Sequence, residues 1–162
     1  VTSDSIHFSD SLRYKTPGGK IVYGGGGIMP DVFIPIDTNG TSGFYTEVNS
    51  AGLILQFAYD YLDQHRVAFE KYASFAAFNS SFRVDKKIYN EFVDYAVKNE
   101  VQRDNYGVEQ SYGIISVQLK ALIARQLWKN EGFYPVMHQL DPALKKAVGE
   151  LESSALAAGV RQ

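Results

Sequence analysis

The chain has 162 residues, 45% of them hydrophobic, with a net charge of -2 and no cysteine. That is one domain or a piece of a larger protein, with enough apolar residues for a core and Lys and Arg too scattered to form a polyanion-binding face. Without cysteine there is no disulfide framework and no thiolate metal site, and no apolar run approaches the roughly 18 to 20 residues that a membrane-crossing helix needs.

In chain order, residues 1–17 are rich in Ser and Asp with isolated apolar residues, and read as a loosely docked arm. Val1 is not an initiator methionine, which suggests a processed product or a truncated chain. Thr16-Pro17-Gly18-Gly19 is turn chemistry, since proline presets one dihedral and glycine admits positive φ. Lys20–Tyr23 and Val32–Ile36 then read as short strands on either side of four consecutive glycines, Gly24, Gly25, Gly26 and Gly27. Thr38–Gly43 is a polar, glycine-containing linker.

Beyond Gly43 the apolar period changes to that of a helix. Leu53, Phe57, Tyr61, Ala68 and Tyr72, flanked by Ile54, Ala58, Leu62 and Phe69, predict one long helix over about 46–72, weakened near its start by Gly52. Ser74–Ser81 suits a short helix or a loop. Asp85 is placed to cap a helix that turns Ile88, Phe92, Tyr95 and Ala96 inward and ends near Asn99. After a polar loop, Gln102–Gly107, the strongest periodic stretch predicts a helix over 109–130 with Ile115, Leu119, Leu122, Ile123 and Leu127 on one side, stopped by Gly132. Asp141-Pro142 starts a final helix running to about Ala158. The expected fold is α+β and mainly α: a short N-terminal β-hairpin or strand pair, then a bundle of four to five helices, with the boundary between residues 1–42 and 43–162.

Local motifs for chemistry are few. A phosphate-binding glycine loop aims its amides at an anion from the start of a helix, whereas Gly24–Gly27 runs through Ile28-Met29-Pro30-Asp31 into a strand, with no GK[ST] ending. A bulged or sharply turned backbone connection suits those residues better, with Pro30 stiffening its exit and Asp31 accepting from turn amides. The three histidines, His7, His65 and His138, have no metal-ligand spacing, and no GxSxG elbow marks an activated serine. No catalytic residue, metal site or cofactor is therefore assigned. The 11 Tyr and 10 Phe are read first as core and second as a subunit or interdomain contact.

The stretch Tyr14-Lys15-Thr16-Pro17-Gly18-Gly19-Lys20-Ile21-Val22-Tyr23, continuing through Gly24–Gly27 and Ile28-Met29-Pro30-Asp31-Val32, resembles a segment of the carboxy-terminal processing, or tail-specific, serine protease family, in the form found in bacterial envelope enzymes. In that family a Tyr-x-Thr-Pro-x-Gly strand leads to Gly-Ile-x-Pro-Asp and a further strand. The resemblance implies a secreted, periplasmic or envelope-associated peptidase that cuts proteins near their C-termini, with a serine nucleophile, a lysine base and a PDZ domain. All three lie upstream of this segment in the family, so no catalytic role passes to this chain. Thr16, Pro17, Gly19, Gly24, Gly25, Gly26, Gly27, Pro30 and Asp31 are carried over as a structural motif only. The implied partners are the remaining protease core, protein substrates of the full-length enzyme and a second copy of the chain, with no nucleic acid. The alternative is a free-standing helical module that binds a protein partner through an aromatic face.

Overall fold

A computed structural model describes residues 13–19, 21–24, 32–35 and 40–159. The chain divides into two units, Val1–Asp37 and Thr38–Gln162.

In the first unit, β1 (Arg13–Lys15) pairs antiparallel with β2 (Ile21–Tyr23), placing Tyr14 opposite Val22 and Lys15 opposite Ile21. The turn expected at Thr16–Gly19 closes this hairpin: the Gly19 amide donates to the Thr16 carbonyl at 2.8 Å, and Gly19 takes a left-handed φ of 84°. The partner of β2 is therefore upstream of it. Residues 32–35, expected to form the other strand across the glycine run, carry no strand. The reason is local: the Thr-Pro-Gly-Gly turn offers Ile21–Tyr23 a neighbour only a few residues away, at little loop-closure cost.

The second unit is helical, giving the α+β, mainly α architecture expected, and its described residues form seven α-helices. Ser42, in extended conformation, caps α1 (Gly43–Ser50) by accepting from the Tyr45 amide. Gly52, at φ 70°, separates α1 from α2 (Leu53–Gln64), because a left-handed residue interrupts the helical hydrogen-bond ladder. A second break at His65 sets off the single turn α3 (Arg66–Phe69). The one long helix expected over 46–72 is thus three, although its predicted apolar face is largely correct: Leu53, Ile54, Phe57, Ala58, Leu62 and Phe69 are all buried.

Ser74 caps α4 (Phe75–Ser81), and Asp85 caps α5 (Lys86–Lys98) by accepting from the Ile88 amide at 3.0 Å. Asp104 then opens α6 (Asn105–Met137), accepting from the Tyr106 and Gly107 amides. Its first arm packs on α1, α2, α4 and α5, and buries Ile115, Leu119, Ala121, Ile123 and Ala124 completely.

Gly132 does not end this helix. The chain breaks earlier, at Trp128 (φ -128°, ψ 16°) and Lys129 (φ 53°, ψ -138°), and then resumes helical turns to Met137. A Cβ on Gly132 would lie only 2.6 Å from the carbonyl oxygen of Ala124. Residues eight apart in a straight helix are separated by about 12 Å along its axis. The second arm therefore doubles back on the first, and Gly132 is the point where the two backbones touch. Trp128 steadies the bend by packing its ring against Phe78 (5.2 Å between centroids) and Phe75 (6.1 Å) of α4. A 3-10 turn (His138–Leu140) leads to α7 (Pro142–Gly159), whose Asp141 cap accepts from the Leu144 amide at 2.9 Å.

Candidate functional site

Of the expected motif residues, Thr16, Pro17 and Gly19 form the hairpin turn, and Gly24 follows β2 directly. Gly25, Gly26, Gly27, Pro30 and Asp31 lie outside the described residues, as does His7. His65 stacks on Tyr61 at 4.1 Å with its Nδ1 against the Tyr61 carbonyl oxygen, and His138 stacks on Tyr134. No cluster of potential metal ligands occurs among the described residues.

The aromatic residues mostly turn inward. Phe44, Phe57, Phe69, Phe78, Phe82, Tyr89 and Phe92 are buried, and their rings meet mostly edge-on or tilted, as with Phe57 against Phe92 at 5.4 Å, while Phe78 and Phe82 stack at 4.9 Å. The Tyr89 hydroxyl is satisfied inside this core by donating to the Val108 carbonyl, and burial raises its pKa.

The chemically distinctive place is a cleft of about 570 Å³ between the C-terminal end of α4, the loop into α5, the first arm of α6 and the 3-10 turn. Ser116 and Lys120 are four residues apart, so α6 presents both on one face. Asn79, Arg83, Asp85 and Tyr112 complete its polar lining, and the doubling back of α6 brings in Gln139.

Lys120 is only 6% exposed, and among the described residues it forms no ion pair. Its Nζ donates to the Asn79 carbonyl at 2.8 Å and stands 5.7 Å from the centre of the Phe78 ring. Arg83 Nη1 donates to the same Asn79 carbonyl at 2.9 Å and to that of Phe82 at 2.8 Å. Two cationic heads thus share one oxygen. Burial first and the Arg83 charge second push the Lys120 ammonium down to about 8.

Two buried polar atoms of the lining, Ser116 Oγ and Asn79 Oδ1, have no hydrogen-bond partner among the described residues. Ser116 Oγ therefore makes no hydrogen bond to Lys120 Nζ in this arrangement. The cleft sets two cations and one carboxylate around a half-open space, with the two unpartnered atoms covered in its wall.

A model of a family of unknown function (DUF8443) matches residues 44–129. The chain belongs to that family. The DUF8443 region runs from the first turn of α1 to the bend of α6, and includes every lining residue of the cleft named above except Gln139. No curated protein and no solved structure matches the chain.

Little in the residue pattern marks this cleft. Lys120 looks like an ordinary polar residue of an amphipathic helix, and its burial depends on α4 lying across it. The i, i+4 spacing of Ser116 and Lys120 was the one available signal, and that spacing is commonplace on helices.

Proposed function

We propose that this chain is the C-terminal, non-catalytic portion of a periplasmic or envelope-associated serine peptidase that cleaves proteins near their C-termini, with the serine nucleophile and lysine base supplied from upstream. The reading rests on the Tyr14–Val32 segment, with its Thr-Pro-Gly-Gly turn and GGGGI-x-PD run. Its helical unit would brace the protease core or join two copies.

The hairpin supports this reading on physical grounds. Its strands are three residues each, and Tyr14, Ile21 and Val22 are 58%, 43% and 40% exposed. A two-stranded ribbon of that length is marginal in water, and open strand edges pair with further strands. A sheet contributed by the rest of a protease core would provide both the extra strands and a cover for those side chains. The aromatic-face alternative lacks comparable support, since most rings are spent on the core.

The test is activity of the full-length parent protein against an unfolded substrate with a free C-terminal tail, compared with a variant in which the upstream serine is replaced by alanine. Processing that the substitution abolishes is expected. A parent sequence with no serine and lysine in the family's arrangement before this segment would overturn the proposal.

A further inference from the structure

We propose that the cleft at Lys120 is a binding site for a carboxylate group, held between Lys120 Nζ and the Arg83 guanidinium. The inference is independent of the peptidase reading. A buried ammonium without an acidic partner is costly, and proteins ordinarily pair such a charge. Here the protein does the opposite and sets a second cation beside it, both heads leaning on one neutral carbonyl.

The charge count selects the ligand. Lys120 and Arg83 are cationic, and Asp85 is the one carboxylate among the described residues of the lining, which leaves a single positive charge to balance. A carboxylate matches that, whereas a phosphate dianion would overshoot and crowd Asp85. The unpartnered atoms point the same way. Both atoms are covered in the cleft wall, and a turn of either side chain brings it to the ligand: Ser116 Oγ can then donate to a carboxylate oxygen, and Asn79 Oδ1 accept from a hydroxy acid's hydroxyl or the amide N–H next to a peptide's terminal carboxylate. Gln139 and the Tyr112 ring border the remaining space.

The two sources of such a group, a small organic acid or a peptide C-terminus, are separated by choice of probe. Acetate, L-lactate, N-acetyl-Ala-Ala, its C-terminally amidated form and inorganic phosphate would each be titrated into the isotope-labelled full chain, following the Asn79 and Gln139 side-chain amides and the backbone amides of Ser116 and Lys120 by NMR. A saturable shift with lactate or acetate supports the site and assigns a small acid. A shift with the acetylated dipeptide acid alone supports it and assigns a peptide tail. Bound carboxylate also counters the repulsion from Arg83, so the Lys120 titration midpoint should rise from its free position near pH 8. Arg83 is exposed, and Arg83→Gln should keep the fold while weakening binding by about tenfold or more, the equivalent of one charge-assisted hydrogen bond. Lys120→Met should remove binding. No saturable shift with any carboxylate, equal binding of the amidated peptide, tighter binding of phosphate, or affinity unchanged in Arg83→Gln would each overturn the proposal.

Discussion

Replacing Gly132 by alanine tests the doubled-back form of α6 directly. The added Cβ would meet three atoms of Ala124, its carbonyl oxygen at 2.6 Å, carbonyl carbon at 3.0 Å and Cβ at 3.2 Å. Two of these are backbone and cannot rotate away. Restoring an ordinary contact of 3.4 Å to the oxygen requires the second arm to retreat by about 0.8 Å. That movement pulls Val136, fully buried, and its neighbours Phe133 and Met137 away from the core. Overpacking of this kind costs about 2–3 kcal/mol, offset by about 1 kcal/mol of improved helix propensity. The expected net loss is about 1–2 kcal/mol, or a fall of about 2–8 °C in Tm for a chain of this size.

Gly113 provides the control on the same helix. It is exposed, with no atom within 4 Å of its would-be Cβ, so Gly113→Ala should stabilise by about 0.5–1 kcal/mol. Thermal and urea unfolding followed by far-ultraviolet circular dichroism would measure both. Opposite signs are expected. If both substitutions raise stability alike, the close approach at Ala124 does not exist and the second arm does not return along the first.

Two further substitutions probe the bend and the cleft. Lys129 occupies a φ/ψ region suited to glycine, and Lys129→Gly should stabilise by up to about 1 kcal/mol in urea titration; a loss of stability would show that the Lys129 conformation is unstrained. Lys120→Met should stabilise the ligand-free chain by about 1–3 kcal/mol at pH 7, because the buried charge is removed while the Asn79 carbonyl keeps its bond from Arg83. The lysine is charged in both folded and unfolded chains below its folded value of about 8, so its penalty is fully present there. It fades as pH rises from 8 toward 10.5, and the advantage of Lys120→Met should shrink over that window; an advantage that does not change with pH would contradict the shift.

What the sequence made legible was chemistry confined to a few neighbouring residues. Asp85 and Asp141 were readable as caps because cap, first turn and apolar period lie within five residues of one another, and Thr16–Gly19 was readable as a turn for the same reason. The helix face of α5 was nearly right, with Ile88, Phe92 and Ala96 buried and Tyr95 half-buried. The failures involve partners far along the chain. Gly132 carries the usual signature of a helix stop, but its role is set by Ala124 pressing against it from the other arm. Likewise Lys120 became a candidate only through Asn79 and Arg83, some forty residues upstream, and Arg13–Lys15 was read as part of the arm because one tyrosine between two basic residues carries no strand pattern.

The first arm of α6 also bears on how the chain is made. Phe44, Phe57, Phe78 and Phe92 leave the ribosome before Ile115 and Leu119, the residues that cover the core from the α6 side. At roughly 5–20 residues per second, the early helices wait several seconds with oily faces open to the cell. For that interval the nascent chain is a client for chaperones, and a translational pause before residue 105 would lengthen its exposure.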